Sequence, residues 1–193
     1  METITLNFKN VEGFTDDEFY RFCQDNPELK LERTAHGQII IMPNTGGKTG
    51  IRNSEINFQL KNWNRIQKRG EVFDSSTTFH LPSGADRSPD AAWVAKPRWD
   101  ALTEQQKAKF PPLCPDFVIE LRSESDSVNE LQKKVTEQWM GNGCQLAWLI
   151  DPKEEKTYVY RAGAEVEELK GFDRELSGGE TLPGFVLNLR ELR

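Results

Sequence analysis

The chain reads as an α/β protein built on a mixed β-sheet, in an α+β arrangement, and three features of its 193 residues predict that class. Residues 116–122 and 145–150 are short apolar runs, and between them Val128, Leu131, Val135 and Trp139 recur at helical spacing. Strand, helix and strand in that order imply a right-handed crossover and a parallel pair. Residues 29–42 and 71–94 are rich in β-formers and each is interrupted by turn residues, the pattern of antiparallel hairpins. The length suits one domain, residues 1–193, with chain enough for a core and short appendages.

In chain order, residues 3–8 alternate and read as a leading strand. Thr15, with Glu18 three positions later, forms a capping box that opens a helix with Phe19 and Phe22 turned inward. Strands at 29–33 and 38–42 then flank a turn at His36-Gly37. Glu32, in the first of them, is either a cross-strand salt-bridge partner or a site carboxylate. The glycine-rich residues 44–50 lack the spacing of a phosphate-binding loop and are expected as a flexible loop. Over 52–68, Ile56, Leu60 and Trp63, with Ile66 less central, give an amphipathic helix that Gly70 should end. Asn53, Glu55 and Gln59 flank its stripe, as boundary polar groups or as side chains looking into a cleft.

Residues 71–81, the turn 82–85 and residues 87–94 form the second hairpin, with Asp90, Ala92 and Val94 on one face. Asp90 is either a turn residue following Pro89 or an acid presented at a strand's start. The polar stretch 96–110, helical over 102–109, leads through Pro111-Pro112 to the strand at 116–122. The helix after it is capped by Ser125 or Asp126 and ended by Gly141-Asn142-Gly143. On its wheel Lys134 borders the buried stripe and Lys133 points away. Residues 145–150 are apolar on both faces and stop at Asp151-Pro152. Residues 157–161, 166–169 and 184–187 read as short strands completing the sheet.

The strand around Glu120 carries the charge hardest to account for. Alternation sets Phe117, Ile119 and Leu121 on one face and Val118, Glu120 and Arg122 on the other, so Glu120 lies in a strand packed on both sides. A buried carboxylate requires a partner cation or a metal to offset its desolvation. Arg122, on the same face, could be that partner; a bound cation could equally be.

A formal net charge of −6 gives no overall attraction to nucleic acid. This counts against a sequence-independent, high-affinity nucleic-acid coat protein, but not against a nuclease with a local basic patch or bound cations. The only local basic concentration is the 44–50 loop with Arg52, Lys61, Arg65, Lys68 and Arg69. Cys23, Cys114 and Cys144 show neither zinc-site spacing nor a disulfide framework. His36 and His80, the only histidines, have no Ser or Cys nucleophile motif and read as ordinary surface or turn residues. There is no apolar leader, and no stretch approaches the roughly 20 apolar residues of a membrane helix. The expectation is a soluble, unexported protein of the reducing cytoplasm with no membrane partner.

Ser88-Pro-Asp-Ala-Ala-Trp-Val94, Pro115-Asp-Phe-Val-Ile-Glu-Leu-Arg-Ser123, Asn142-Gly-Cys-Gln-Leu-Ala-Trp-Leu-Ile-Asp-Pro152 and Gly179-Glu-Thr-Leu-Pro-Gly-Phe185 together resemble the Uma2 family of restriction-endonuclease-like proteins, abundant in cyanobacteria. The resemblance covers nearly the whole chain and places it in the PD-(D/E)XK nuclease-like superfamily. It implies a restriction-endonuclease-like core, a four-stranded mixed sheet flanked by helices, to which the N- and C-terminal hairpins are additions. It implies Asp90 and Glu120 as ligands of a divalent metal, magnesium with manganese as an alternative, and DNA as the partner. Arg122 stands where the standard motif has lysine, and Lys134 of the following helix matches the family's lysine. Glu32 and Glu55 are candidates for an additional acid. In one departure, the helix from Leu131 to Gly143 is one residue longer than the family pattern.

The chemistry fits these residue types. Hydrolysing a phosphodiester calls for a hard cation that neutralises phosphate oxygens and acidifies a water, and carboxylates are the ligands magnesium prefers. A lysine beside them can orient or deprotonate that water and stabilise developing charge. Two functions are carried forward. One is a metal-dependent DNA endonuclease, for which a homodimer is an option because two strands are commonly cut by two subunits. The other is a catalytically weak or inactive nuclease-fold module for DNA binding or regulation.

Overall fold

The computed structural model describes residues 3–8 and 13–193. A short strand β1 (Ile4–Leu6) precedes helix α1 (Asp16–Asp25), which opens with the expected capping box: Thr15 accepts from the Glu18 amide, and the Glu18 carboxylate accepts from that of Thr15. Phe19 is fully buried against Leu31 and Ile39 of the hairpin β2 (Lys30–Arg33) and β3 (Ile39–Met42), with Phe22 at the edge of this small core.

Helix α2 (Gly47–Gln67) begins earlier than its apolar stripe suggests and takes up most of the expected 44–50 loop. Thr49 is buried in that first turn, so packing overrides the poor helix propensity of Gly47 and Gly50. The helix also stops without a glycine. Lys68 adopts the left-handed conformation, at φ 51°, and donates its N–H to the Asn64 carbonyl. Gly70 serves a different need, opening β4 (Gly70–Asp74) at a point where a Cβ would overlap the Val94 carbonyl oxygen and the Trp93 indole.

The second hairpin is divided between two sheets. Strand β5 (Phe79–His80) pairs with β6 (Asp86–Arg87), and β6 pairs with β2. Strand β7 (Ala91–Ala95) pairs instead with β4. The chain changes sheet at Ser88-Pro89-Asp90, where Pro89 has no N–H to continue a ladder. Residues 96–110 form two short helices rather than one, α3 (Lys96–Asp100) and α4 (Glu104–Ala108), because Thr103 restarts the helix as a second capping box with Gln106.

The predicted crossover is present. Strand β8 (Phe117–Leu121) leads through α5 (Val128–Lys134), a π-helical turn at Val135–Trp139 and a 3₁₀ turn at Met140–Asn142 to β9 (Leu146–Asp151), which pairs parallel with β8. Ser127 takes the cap position, while Asp126 folds back to accept from the Ser123 amide. Strands β10 (Lys156–Arg161) and β11 (Glu167–Lys170) extend the sheet antiparallel, and β12 (Glu175–Ser177) and β13 (Val186–Asn188) form a separate ribbon.

The result is a six-stranded mixed sheet in the order β11-β10-β9-β8-β7-β4, two strands more than the expected four-stranded core, beside a five-stranded antiparallel sheet in the order β1-β3-β2-β6-β5. One face of the mixed sheet packs Phe117, Ile119 and Trp148 against Ile56, Leu60 and Trp63 of α2 and against Phe185. The other packs Ala92, Val118 and Leu149 against Val135 and Trp139. By alternation Glu120 projects from β8 to the second face, towards the helix that follows it. No helix among the described residues is long and apolar enough to cross a membrane.

Candidate metal and phosphodiester site

Glu120 is buried, 3% exposed, and three groups converge on its carboxylate. The Trp139 indole N–H donates to Oε1 at 2.6 Å, and Lys134 Nζ lies 2.9 Å from Oε1 and 3.2 Å from Oε2. Asp90 is the third neighbour, felt through its charge. Burial pushes the Glu120 carboxyl up, Asp90 pushes it further, and Lys134 and Trp139 offset only part of this, leaving it at about 7.

Asp90 owes its place to the break between β6 and β7. Its amide donates to the Ile119 carbonyl, and its Oδ2 accepts from the Leu121 amide at 2.8 Å, so the side chain is clamped across the end of the strand that bears Glu120. Helix α2 holds it from the other side: Asn53 Nδ2 donates to Oδ1 at 3.0 Å and Asn57 Nδ2 to the Asp90 carbonyl at 3.2 Å.

Glu32 arrives from the five-stranded sheet. It accepts from Arg87 at 2.8 Å and from the Ser88 amide at 3.1 Å, and lies 3.6 Å from Lys134 Nζ. Burial works to raise its pKa, but Lys134 and Arg87 outweigh that and hold it below the usual carboxylate range. Lys134 is the counterpart. Burial alone would depress it, yet Glu120 and then Glu32 hold it above the ordinary lysine value, so it stands as a cation between two carboxylates. Its Nζ also reaches the Ser88 carbonyl at 3.3 Å.

The structure thus brings together Asp90, Glu120, Lys134 and Glu32 of the six residues singled out by sequence. Glu55 stays apart, accepting from Gln59 one turn along α2. Arg122 does not pair with Glu120 either; it turns to Asp151, at 2.7 Å, and to the Asp126 carbonyl. Three contributors were not anticipated, Trp139 and Arg87 as partners of the two glutamates and Asn57 as a partner of Asp90, while Asn53 takes the cleft-facing alternative offered for it. Asn57 lies one turn after Asn53 on the same flank of the α2 stripe, a spacing that could have found it.

The π turn explains how Lys134 and Trp139 share one carboxylate. In an α-helix, residues five apart diverge by about 140°. Here the Met140 amide donates to the Val135 carbonyl, an i→i+5 bond that absorbs one extra residue and returns Trp139 to the face of Lys134.

Among the described residues no three His, Cys, Asp or Glu side chains form a group that could hold a metal by themselves. Asp90 and Glu120 are neighbouring carboxylates, hard oxygen donors of the kind that could hold a divalent cation. The Oδ1 atom of Asn53, on the amide that clasps Asp90, is buried without a hydrogen-bond partner among the described residues. This donor set suits magnesium, which is ordinarily held by one or two carboxylates and completed by water and phosphate oxygens. Along α2 and its ends, Lys48, Lys61, Arg65, Lys68 and Arg69 form no ion pair among the described residues, and Arg52 donates to the Leu192 carbonyl.

A family model described as Uma2, "Putative restriction endonuclease", matches residues 16–190. Among solved structures, one titled as a "putative nuclease" belonging to DUF820, from Anabaena variabilis, is similar over 93% of this chain and 97% of its own, with a TM-score of 0.74 and 24% sequence identity, a likeness of fold. No curated protein matches the chain.

Proposed function

Because the chain belongs to the Uma2 family, we propose that it is a metal-dependent DNA endonuclease that hydrolyses phosphodiester bonds with Asp90, Glu120 and Lys134. The observation that carries this is the meeting, at one buried carboxylate, of groups from three elements: Asp90 from the sheet break, Glu120 from β8, and Lys134 from α5. A divalent cation held by Asp90 and Glu120, magnesium or manganese, would neutralise phosphate oxygens and acidify a water. Lys134, a donor with no acceptor capacity while charged, is set to stabilise negative charge developing on the phosphate. Glu32, itself fixed by Arg87, holds Lys134 in place, Trp139 fixes the Glu120 carboxylate, and Asn53 and Asn57 fix Asp90. Arg122 is assigned a structural role at Asp151.

Purified protein incubated with plasmid and single-stranded DNA in magnesium or manganese should cleave, and Asp90→Ala and Glu120→Ala should not. Cleavage persisting in both variants would sink the site. A second function is favoured by one observation: in this structure both Glu120 oxygens are engaged by Lys134 and Trp139. A weak or inactive module would bind DNA without cutting it in any metal. Two subunits would suit cutting of both strands, and sedimentation with duplex DNA tests that.

A further inference from the structure

The outer face of α2 is the part of the molecule that neither the core nor the site explains. Residues 44–70 contain six Lys and Arg against a single acid, Glu55, in a chain whose net charge is −6. Lys61, Arg65 and Lys68 are exposed, and with Lys48 and Arg69 they find no acidic partner among the described residues. Large apolar groups stand among them: Phe58 is 62% exposed and Ile51 72%. The position of this face is fixed by the site. Asn53 and Asn57 grip Asp90, and the same i→i+4 ridge continues through Lys61 to Arg65, rising about 6 Å per step.

We propose that this ridge is a binding track for a single strand of nucleic acid leading away from the scissile phosphate, with backbone phosphates on Lys61, Arg65 and Lys68 and an unpaired base against Phe58. The proposal rests on the nuclease function above and adds where, and in what state, the substrate strand lies. Charge complementarity selects the occupant: an unpaired cationic row on an acidic protein fits a polyanion. Phe58 selects its form, since a phenyl ring amid cations offers a stacking surface to an unstacked base, whereas bases inside a duplex are already stacked on one another. A second copy of this chain docking face to face would oppose like charges across the interface.

The test uses fluorescence anisotropy of wild type, Lys61→Gln/Arg65→Gln/Lys68→Gln and Phe58→Leu with a labelled mixed-sequence oligonucleotide, single-stranded or duplex, in chelator so that nothing is cut. All four residues are exposed, so thermal melts should coincide with wild type. The triple variant should bind the single strand at least about tenfold more weakly at low salt. Its slope of log K against log salt should fall by about 2, at roughly 0.7 for each phosphate no longer neutralised. Phe58→Leu should weaken the single strand by about fivefold or more and leave the duplex unchanged. An unchanged salt slope in the triple variant, with wild type still binding and cutting, would overturn the track and leave the nuclease function standing. Wild type that neither binds nor cuts would overturn both. A wild-type dimer that dissociates in Phe58→Leu would reassign the face to subunit contact and overturn the track alone.

Discussion

Replacing Lys134 by methionine preserves most of the side chain's length and removes its charge. Lys134 Nζ lies 2.9 Å from Glu120 and 3.6 Å from Glu32, both essentially buried. Glu32 would keep Arg87 and the Ser88 amide, whereas Glu120 would keep only the Trp139 bond, so the loss falls mainly on Glu120. Breaking a buried pair from one side costs about 3–5 kcal/mol. At roughly 2–4 °C per kcal/mol for a chain of this size, that full loss corresponds to about 6–20 °C in the melt of the metal-free variant once Glu120 is ionised.

The pH dependence gives the stricter test. Glu120 is raised from 4.5 to about 7 even with Lys134 present, so without it the folded-state value lies higher still. A carboxylate with a raised folded-state pKa costs nothing below its unfolded value, where it is protonated in both states; the cost grows as pH climbs from that value to the folded one and is complete above it. The Lys134→Met deficit should therefore be small near pH 5, open above about pH 7, and still be widening at pH 8. Adding Glu120→Gln should restore most of the loss at pH 8, because a neutral amide needs no cation. Melts followed by circular dichroism at both pH values decide it: a variant as stable as wild type at pH 8, or an equal deficit at both, would refute the coupling of Lys134 to Glu120.

Trp139→Phe removes a 2.6 Å bond to a buried carboxylate; the expected loss is about 1.5–3 kcal/mol, or roughly 3–12 °C in Tm at pH 8, and an unshifted melt would count against it. Deleting exposed Thr136 should convert the π turn to α-helix with both ends kept in register, leaving stability within about 1 kcal/mol and Lys134 on Glu120; a loss as large as that of Lys134→Met would contradict this use of the π turn. Below about pH 7 magnesium must displace a proton from Glu120, so calorimetry in buffers of different ionisation enthalpy should show proton release at pH 6 that fades by pH 8.5; none at pH 6 would remove Glu120 as a ligand. His80 bonds Asp86 at 2.9 Å, and that bond together with the charges of Asp86 and Asp16 raises its pKa above 6.5 against the effect of burial. Its stabilisation is complete below 6.5 and fades as pH rises through the folded value, so the stability gap between wild type and His80→Phe should be wider at pH 6 than at pH 9; a constant gap would refute it.

Much of this was legible where local chemistry decides the outcome. The capping box at Thr15, the parallel pair flanking α5 and the placement of Lys134 on the inner border of its helix all follow from spacing and periodicity. Features set by distant partners were not legible. Nothing local signals that Ser88-Pro89-Asp90 carries the chain from one sheet to another, or that Thr49 makes helix of a glycine-rich segment. Alternation correctly set Arg122 on the face of Glu120, yet could not reveal that Asp151, at the end of the neighbouring parallel strand, would claim it. At 3.6 residues per turn Trp139 is only an apolar residue of a stripe, while the π turn changes which residues share a face.

The pairing of Arg122 with Asp151 alters the charge balance around Glu120. With Arg122 committed elsewhere, the cluster consists of three carboxylates, Asp90, Glu120 and Glu32, against two cations, Lys134 and Arg87. One negative charge is left in buried surroundings, where an uncompensated carboxylate is costly. Without metal the least costly answer is a proton, and Glu120, beside Asp90 and the more buried of the two, is where it resides, as its rise to about 7 records. A divalent cation held by Asp90 and Glu120 would supply the missing charge and one beyond it, turning a site that repels phosphate into one that attracts it. Glu32, already satisfied by Arg87, Ser88 and Lys134, is spared that role and is free to keep Lys134 in place while phosphate is bound.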